Sequence, residues 1–296
     1  MKHSSFIYFL TAALILYAAI NSYIFIRARQ ALTGFGVVRV ILLAILVLWM
    51  AAYPAARFLE RAAPGAFTRF LVVSGSVYFG VLVHAFLLIV LVDLVRLGNA
   101  LFHFFPSSFS VFQVQAVRIT GLAVCGITAV AVLAGYWNAT RPRVKTYELA
   151  VPKSAGGERE MNLVAVSDLH LGTVLGPEFL SKISRMVDDL NPDAVLLAGD
   201  TFDEDITDEE ERNLIEILRG FRSRFGTFAV LGNHEYYGDR EKAAETFRKA
   251  GVTLLEDRSA VIGDSVLLIG RKDRTAEHLA GGRKAIHELV RAWGVV

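Results

Sequence analysis

The sequence predicts a bundle of four transmembrane helices followed by an α/β domain, and its uneven composition leads to this division. Of the 296 residues, 54% are hydrophobic, only 20% are charged and the mean hydropathy is positive, which is too apolar for an ordinary soluble protein. Most of the apolar excess lies before residue 140. We therefore predict a four-helix anchor over residues 1–140, a linker over 141–160 and a globular domain over 161–296.

Four uncharged runs define the predicted anchor, over residues 4–26, 40–56, 70–92 and 119–140. Each run is roughly 17 to 23 residues long, close to the ~20 helical residues that cross a hydrocarbon core. The second run is the shortest, but Arg39 and Arg57 at its ends can extend their charged groups to the membrane surface. The first run is too long for a signal peptide and lacks a cleavage site, so it predicts an uncleaved helix.

Lysine and arginine residues near the helix ends give a weak orientation signal. One side would carry Lys2, Arg57, Arg61, Arg69, Arg141, Arg143 and Lys145; the other would carry Arg27, Arg29, Arg39, Arg96 and Arg118. Because positive residues favour the cytoplasmic side, this bias places both termini and the globular domain in the cytoplasm of a cell-membrane protein. Shifting the count by one helix would reverse the side.

Ionisable side chains inside a predicted span are functional candidates, and the third run contains one. His84 is interpreted as a neutral side chain bonded to a neighbouring helix. Asp93 and Arg96 are expected at the membrane interface, where their spacing allows them to pair on one helix face. Charged or broken helices do not recur in pairs as they do in transporters, so the helices are interpreted as an anchor.

The overall charge and the cysteine content exclude two other classes of function. The formal net charge of +2 gives no support for a nucleic-acid partner, which would require a concentrated basic surface. The single cysteine, Cys125, lies in an apolar run and predicts neither a disulfide framework nor a CxxC zinc site.

Alternating strand and helix patterns follow the linker and predict a parallel sheet. Strands are expected at residues 163–166, 194–198 and 227–231, with amphipathic helices at 177–190, 209–221 and 240–250. This alternation is typical of right-handed crossover units in an α/β domain. Further short strands are expected at 252–255, 260–262 and 265–269, and a last helix at 283–293.

Polar side chains that can bind metal follow each of the first three strands. They are Asp168 and His170, then Asp200, then Asn233 and His234. Because the carboxyl ends of parallel strands share one edge of a sheet, these side chains should converge. The oxygen donors and imidazole suit Mn, Fe or Zn, and Asp200 could bridge two such ions. Two divalent ions would polarise a phosphoryl oxygen and activate water to hydroxide, while His234 could protonate a leaving group.

The three segments SDLHLG, GDTFD and GNHE resemble the first three motifs of the calcineurin-like metallophosphoesterase superfamily, and their order and spacing also match. The resemblance covers about residues 161–270 and is closest to the bacterial membrane-associated branch, some of whose members act on lipid-linked phosphodiesters or pyrophosphates. It implies an αββα sandwich. It also implies that Asp168, His170, Asp200 and Asn233 bind two divalent metals while His234 assists the leaving group.

The sequence departs from the family pattern after the third motif. The family supplies further ligands from a later histidine and a G-H-x-H motif, and neither is present in these 296 residues. His278 and His287 are not expected to replace them. We therefore expect an incomplete sandwich that is truncated before the later motifs and holds at most one ion weakly. Asp203 matches the final acid of the second motif; Tyr236 and Tyr237 either line a substrate entrance or pack against the domain.

These observations predict a membrane-anchored, metal-dependent phosphoesterase, with lipid-linked phosphate esters among its substrates and the bilayer as its partner. The alternative is a truncated, catalytically impaired phosphoesterase-like membrane protein, either a scaffold or a non-functional copy.

Overall fold

The computed structural model describes residues 3–63, 65–105, 113–151, 160–203, 208–263, 266–279 and 281–291. The chain divides into two compact units, Met1–Pro142 and Arg143–Val296. This division lies close to the predicted start of the linker, part of which, at residues 152–159, falls outside the described residues.

Four long helices make up the described part of the first unit. They are α1 His3–Ala31, α2 Gly36–Ala62, α3 Ala66–Phe102 and α4 Val114–Ala139. All four are long and apolar enough to cross a membrane, as predicted. With 37 residues, α3 is about 55 Å long, so it exceeds a ~30 Å hydrocarbon core by several turns.

Polar contacts inside the bundle pair several side chains that would be costly to leave unpaired in lipid. The Tyr78 hydroxyl on α3 donates to Oδ1 of Asn21 on α1, at 2.6 Å, and both side chains are buried. Nδ1 of His84 lies 2.7 Å from the Gly80 carbonyl oxygen. His84 therefore bonds within its own helix, because a carbonyl one turn earlier is in reach, rather than with a neighbouring helix as expected from the sequence.

An ion-pair cluster lies near the carboxyl end of α3. Asp93 and Arg96 pair across one helical turn at 3.3 Å, which confirms the predicted pairing. Arg27 and Tyr23 of α1 also bond to the Asp93 carboxylate. The cluster connects the ends of two helices and neutralises the acid.

The second unit begins with a parallel α/β arrangement. Its elements are β1 Leu163–Val166, α5 Pro177–Asp189, β2 Ala194–Ala198, α6 Asp208–Arg219, β3 Thr227–Val230, α7 Asn233–Tyr237, α8 Arg240–Lys249 and β4 Thr253–Leu254. The four strands pair in parallel in the order β1-β2-β3-β4. Leu163 aligns with Ala194, and Val195 aligns with Thr227. The predicted parallel sheet is confirmed.

The chain after β4 differs from the prediction in detail. β5 Arg258–Ile262 and β6 Val266–Gly270 form a separate antiparallel pair. The helix predicted over residues 283–293 corresponds to α10 Ile286–Arg291, which begins three residues later than expected, and residues 292–293 fall outside the described residues. A short helix that the sequence did not predict, α9 Ala276–Leu279, precedes it. The glycine pair at 281–282 lies between α9 and α10, and its positive φ angles do not allow the helix to continue.

Two cores place the four-stranded sheet between a helical layer and the β5–β6 hairpin. Val195, Leu197 and Ala229 point into a core shared with α5, α6 and α8. On the opposite face, Ala194 and Phe228 pack against Ile262 of the hairpin. The central strands are covered on both faces, which explains their uninterrupted apolar sequences.

Candidate metal centre

The loop after β1 brings Asp168 and His170 to the carboxyl edge of the sheet. Both residues have left-handed backbone conformations, with φ of 55° and 45°. The Asp168 amide donates to the Gly199 carbonyl oxygen at 3.2 Å, and the His170 amide donates to the Asp200 carbonyl oxygen at 3.0 Å. These bonds fix the β1 loop against the β2 loop, so the two loops present their side chains together.

Two glycines allow the β2 and β3 loops to approach closely. Gly199 has φ of 97°, and a Cβ placed there would lie 3.0 Å from Cα of Gly232. A Cβ on Gly232 would lie 2.5 Å from the backbone nitrogen of Asp200, closer than a real Cβ can approach. The Asp200 carboxylate accepts a bond from the His234 amide at 2.9 Å. Small residues at these two positions therefore bring Asp200 and the start of α7 into contact.

Two overlapping groups of side chains are close enough together to hold a metal ion. One consists of Asp168, His170 and Asp200; the other consists of His170, Asp203 and His234. Within each group, one ligand atom from each residue lies within 4.8 Å of the others. The structure thus brings together four of the five predicted site residues and adds Asp203.

Asp203 lies between the two histidines. Its Oδ1 is 3.0 Å from Nδ1 of His170 and 3.4 Å from Nδ1 of His234. The two imidazole rings are edge to face, with centroids 4.4 Å apart. A carboxylate bonded to one ring nitrogen leaves the other nitrogen of His170 available to a metal ion. The sequence signal for Asp203 was its position as the last acid of GDTFD.

Glu235 is a structural residue of the site that the sequence did not reveal. Its side chain is only 3% exposed. The carboxylate accepts backbone N–H bonds from four residues, Asp200, Thr201, Phe202 and Gly232, at 2.6–3.2 Å. Glu235 therefore fastens the loop after β2 to the start of α7. Its place three residues after Gly232, where a glutamate commonly caps a helix, was the available signal.

Burial and hydrogen bonding act on Glu235 in opposite directions. Burial raises the pKa of its carboxyl group, and the bonds from backbone amides oppose this by favouring the ionised form. Each backbone donor loses its partner if the side chain leaves, which explains why a carboxylate can remain buried here.

A pocket of about 210 Å³ borders the site. His234 and Asp203 line one part of it, and Lys242 and Glu211 line another. Lys242 pairs with Asp208 at 3.2 Å. The pocket gives the His234 side chain, which is 38% exposed, access to a bound molecule.

The remaining residues singled out in the sequence lie in different environments. Asn233 is the first residue of α7, between Gly232, which touches Asp200, and His234. Tyr236 is buried in the core, whereas 61% of Tyr237 is exposed. His278 and His287 are exposed on α9 and α10, and neither belongs to a metal-ligand group among the described residues.

The donor set fits a divalent transition metal. Carboxylate oxygens and imidazole nitrogens suit Mn, Fe and Zn, and in each group one ligand atom from each residue lies within 4.8 Å of the others. Residues 161–283 match the family model of the calcineurin-like phosphoesterases. Residues 161–283 are therefore a calcineurin-like phosphoesterase domain.

Similar proteins include membrane proteins with this phosphoesterase domain. A transmembrane protein with metallophosphoesterase domain from Danio rerio is 35% identical over 147 residues, which cover 49% of this chain and 33% of that protein. An uncharacterized metallophosphoesterase from Aquifex aeolicus is 30% identical over 46% of this chain and 51% of its own length.

A third relative is named for a diacylated sugar nucleotide. The UDP-2,3-diacylglucosamine pyrophosphatase LpxG of Chlamydia muridarum is 33% identical over 39% of this chain and 36% of its own length. Across these three relatives, the chain matches about a third to a half of their length. No solved structure matches the chain.

Proposed function

We propose that this chain is a membrane-anchored, metal-dependent phosphoesterase that hydrolyses a phosphate ester at the carboxyl edge of β1, β2 and β3. The observation that carries the proposal is the convergence of Asp168, His170 and Asp200, within a calcineurin-like phosphoesterase domain. Divalent metal held there would neutralise phosphoryl charge and supply an activated water.

The chain's own residues have distinct roles in this proposal. Asp168, His170 and Asp200 hold metal, with Asn233 as a further ligand from the start of α7. Asp203 orients the His170 ring through the 3.0 Å contact. His234 faces the adjoining pocket, where it can donate a proton to the leaving oxygen.

Lipid-linked phosphate esters are the proposed substrate class. The four membrane-length helices would keep the domain at a bilayer, where such substrates are concentrated. The similarity to LpxG, named as a pyrophosphatase of a diacylated sugar nucleotide, supports the same class. A cytoplasmic position for the domain, which rests on the bias of positive residues, is also part of the proposal.

Hydrolysis of a chromogenic phosphodiester, bis-p-nitrophenyl phosphate, by the full chain in detergent tests the activity. We expect manganese to restore hydrolysis after chelation, and Asp200→Asn to lower the rate by about a hundredfold or more because it weakens the shared ligand. Asp189→Asn, an exposed acid on α5, is the matched control and should retain the rate. Equal rates in both variants would refute the proposed site.

A further inference from the structure

A second pocket, of about 430 Å³, lies beside β4 and contains an excess of positive charge. We call it the basic pocket. Its charged lining consists of Arg240, Arg248, Glu256, Arg258 and Lys272. Four cations and one carboxylate give a formal excess of three positive charges. The volume falls in the range of about 300–1,000 Å³ that is typical of small-molecule sites.

One of the four cations is neutralised inside the pocket. The Arg240 guanidinium bonds to Oε1 of Glu256 through Nη2 at 2.7 Å and through Nε at 3.2 Å. The Tyr236 hydroxyl contacts the same oxygen at 3.4 Å. These contacts raise the pKa of Arg240, chiefly through the bond to Glu256. The pair contributes shape and hydrogen-bonding groups but little net charge.

The other three cations account for the charge excess. Within the part of the chain that the structure describes, the side chains of Arg248, Arg258 and Lys272 have no hydrogen-bond or ion-pair partner. They come from different elements, α8, the first residue of β5 and the segment after β6. Like charges brought together from three different elements repel one another, so a bound anion would stabilise their arrangement.

The basic pocket runs along the outer strand β4 and reaches the carboxyl edge of the sheet at Arg240 and Glu256, while Arg248 lies toward the amino end of β4. β4 pairs in parallel with β3, and Glu256 follows the carboxyl end of β4. Neighbouring strands are ~4.8 Å apart, so the ends of β2 and β4 are separated by roughly 10 Å. Tyr236 connects the two places, because it lies two residues after His234 and contacts Glu256.

We propose that the basic pocket binds a phosphate group that lies outside the metal centre. Arginine forks and a lysine ammonium suit a multiply charged oxyanion, which can accept several charge-assisted bonds at once. Resting on the proposed function, the group is a second phosphate of the substrate, separate from the phosphate at the ester bond that is cleaved. A separate phosphorylated ligand would share the same chemistry.

Calorimetric titration of inorganic phosphate into the metal-stripped full chain tests the pocket without any catalysis. The titration uses a maltoside detergent, which contributes no phosphate groups, and low salt, which limits electrostatic screening. Arg248→Gln/Arg258→Gln should weaken binding about tenfold, since each removes one charge-assisted contact at a partly exposed site. Arg185→Gln/Arg212→Gln removes the same net charge from α5 and α6 and should bind as the wild type does.

Glu256→Gln should change the phosphate affinity in the opposite direction. A general loss of structure would not tighten binding, so this variant separates the two explanations. Removing the carboxylate takes one negative charge out of the pocket and leaves Arg240 with the exposed Glu241 as its ion-pair partner among the described residues, so phosphate binding should tighten. Circular dichroism would verify that each variant is folded. Equal affinity in the Arg248→Gln/Arg258→Gln variant and its control, or weaker binding by Glu256→Gln, would overturn the proposal.

Two ester substrates distinguish the sources of the phosphate. If it belongs to the substrate, Arg248→Gln/Arg258→Gln should raise KM for an ester with a second phosphate by about tenfold and leave KM for a monophosphorylated ester unchanged. An unchanged KM for both, with weakened phosphate binding, assigns the pocket to a separate ligand. If neither ester is hydrolysed, the proposed function fails, and the titration still decides the pocket.

Discussion

At the residue scale, three proposed metal ligands hold backbone conformations that side chains rarely adopt. Asp168, His170 and Asp200 all have φ between 45° and 55°. A left-handed conformation outside glycine costs on the order of 1–3 kcal/mol and persists only where surrounding contacts enforce it. The backbone bonds between the β1 and β2 loops and the close glycine contact provide that enforcement.

The glycine contact gives the first residue-scale prediction. Gly232→Ala should lower manganese affinity by at least about tenfold, because the new methyl group displaces the Asp200 backbone. Gly176→Ala is the matched control, since a Cβ there meets only the Gly172 carbonyl oxygen at 3.7 Å. Manganese titration followed by electron paramagnetic resonance measures the affinity, and similar values for both variants would contradict the explanation.

The buried Glu235 carboxylate gives the second residue-scale prediction. Glu235→Gln should destabilise the loops around the site by roughly 2–3 kcal/mol, because an amide offers one acceptor oxygen in place of two and directs its NH₂ at backbone donors. Hydrogen exchange of peptides covering residues 199–203 and 232–237 should then be about thirtyfold faster or more. Glu209→Gln, on an exposed acid of α6, should leave exchange unchanged. Unaltered protection in the first variant would show that the four bonds are dispensable.

The convergence of Asp168, His170 and Asp200 could be predicted from the sequence, because parallel strands end at one edge of the sheet and residues directly after a strand must lie there. The role of Glu235 could not be predicted from the sequence, because it depends on where the backbone amides of residues 200–202 point. The basic pocket was also missed. It joins residues from α8, β5 and the segment after β6, whose proximity comes from the packing of the hairpin and not from local pattern.

At the scale of elements, α8 supports the loop that carries Asp203. Phe247 on α8 is fully buried, and its ring lies 4.9 Å from the ring of Phe202, the residue before Asp203. Helix packing therefore determines the position of a group that contacts both histidines of the site. The short helix α7, which the sequence did not predict, similarly carries Asn233 and His234 on a rigid turn.

Truncating Phe247 tests this support. Phe247→Ala should cost about 3–5 kcal/mol of domain stability because it leaves a cavity between α8 and the sheet. Phe247→Leu, which keeps most of the volume, should cost about 1.5 kcal/mol or less. Pulse proteolysis in urea measures both, and equal losses would show that packing at this position is not limiting.

At the scale of the whole molecule, the chain combines a helical unit of membrane-spanning length with a phosphoesterase domain. The number of long apolar helices could be predicted from the sequence, because runs of about 20 uncharged apolar residues are typical of membrane-spanning helices. The orientation rests on a small difference in positive charge between the two sides. It therefore needs a measurement of its own.

Labelling of introduced cysteines tests the cytoplasmic position. In a Cys125→Ala background, Glu216→Cys places a thiol on the exposed face of α6. A membrane-impermeant maleimide should label it only after the cells are lysed, because the domain is expected on the cytoplasmic side. Labelling in intact cells would show that the domain lies on the opposite side of the membrane and would contradict this prediction.

Manganese binding by two variants of the full chain tests the proposed metal centre most directly, because the two overlapping ligand groups differ in their residues. If Asp168, His170 and Asp200 hold the ion, Asp200→Asn should weaken manganese binding by about tenfold or more, while His234→Gln should bind normally and lose turnover. Loss of manganese binding in His234→Gln, with binding intact in Asp200→Asn, would contradict the proposed roles of both residues.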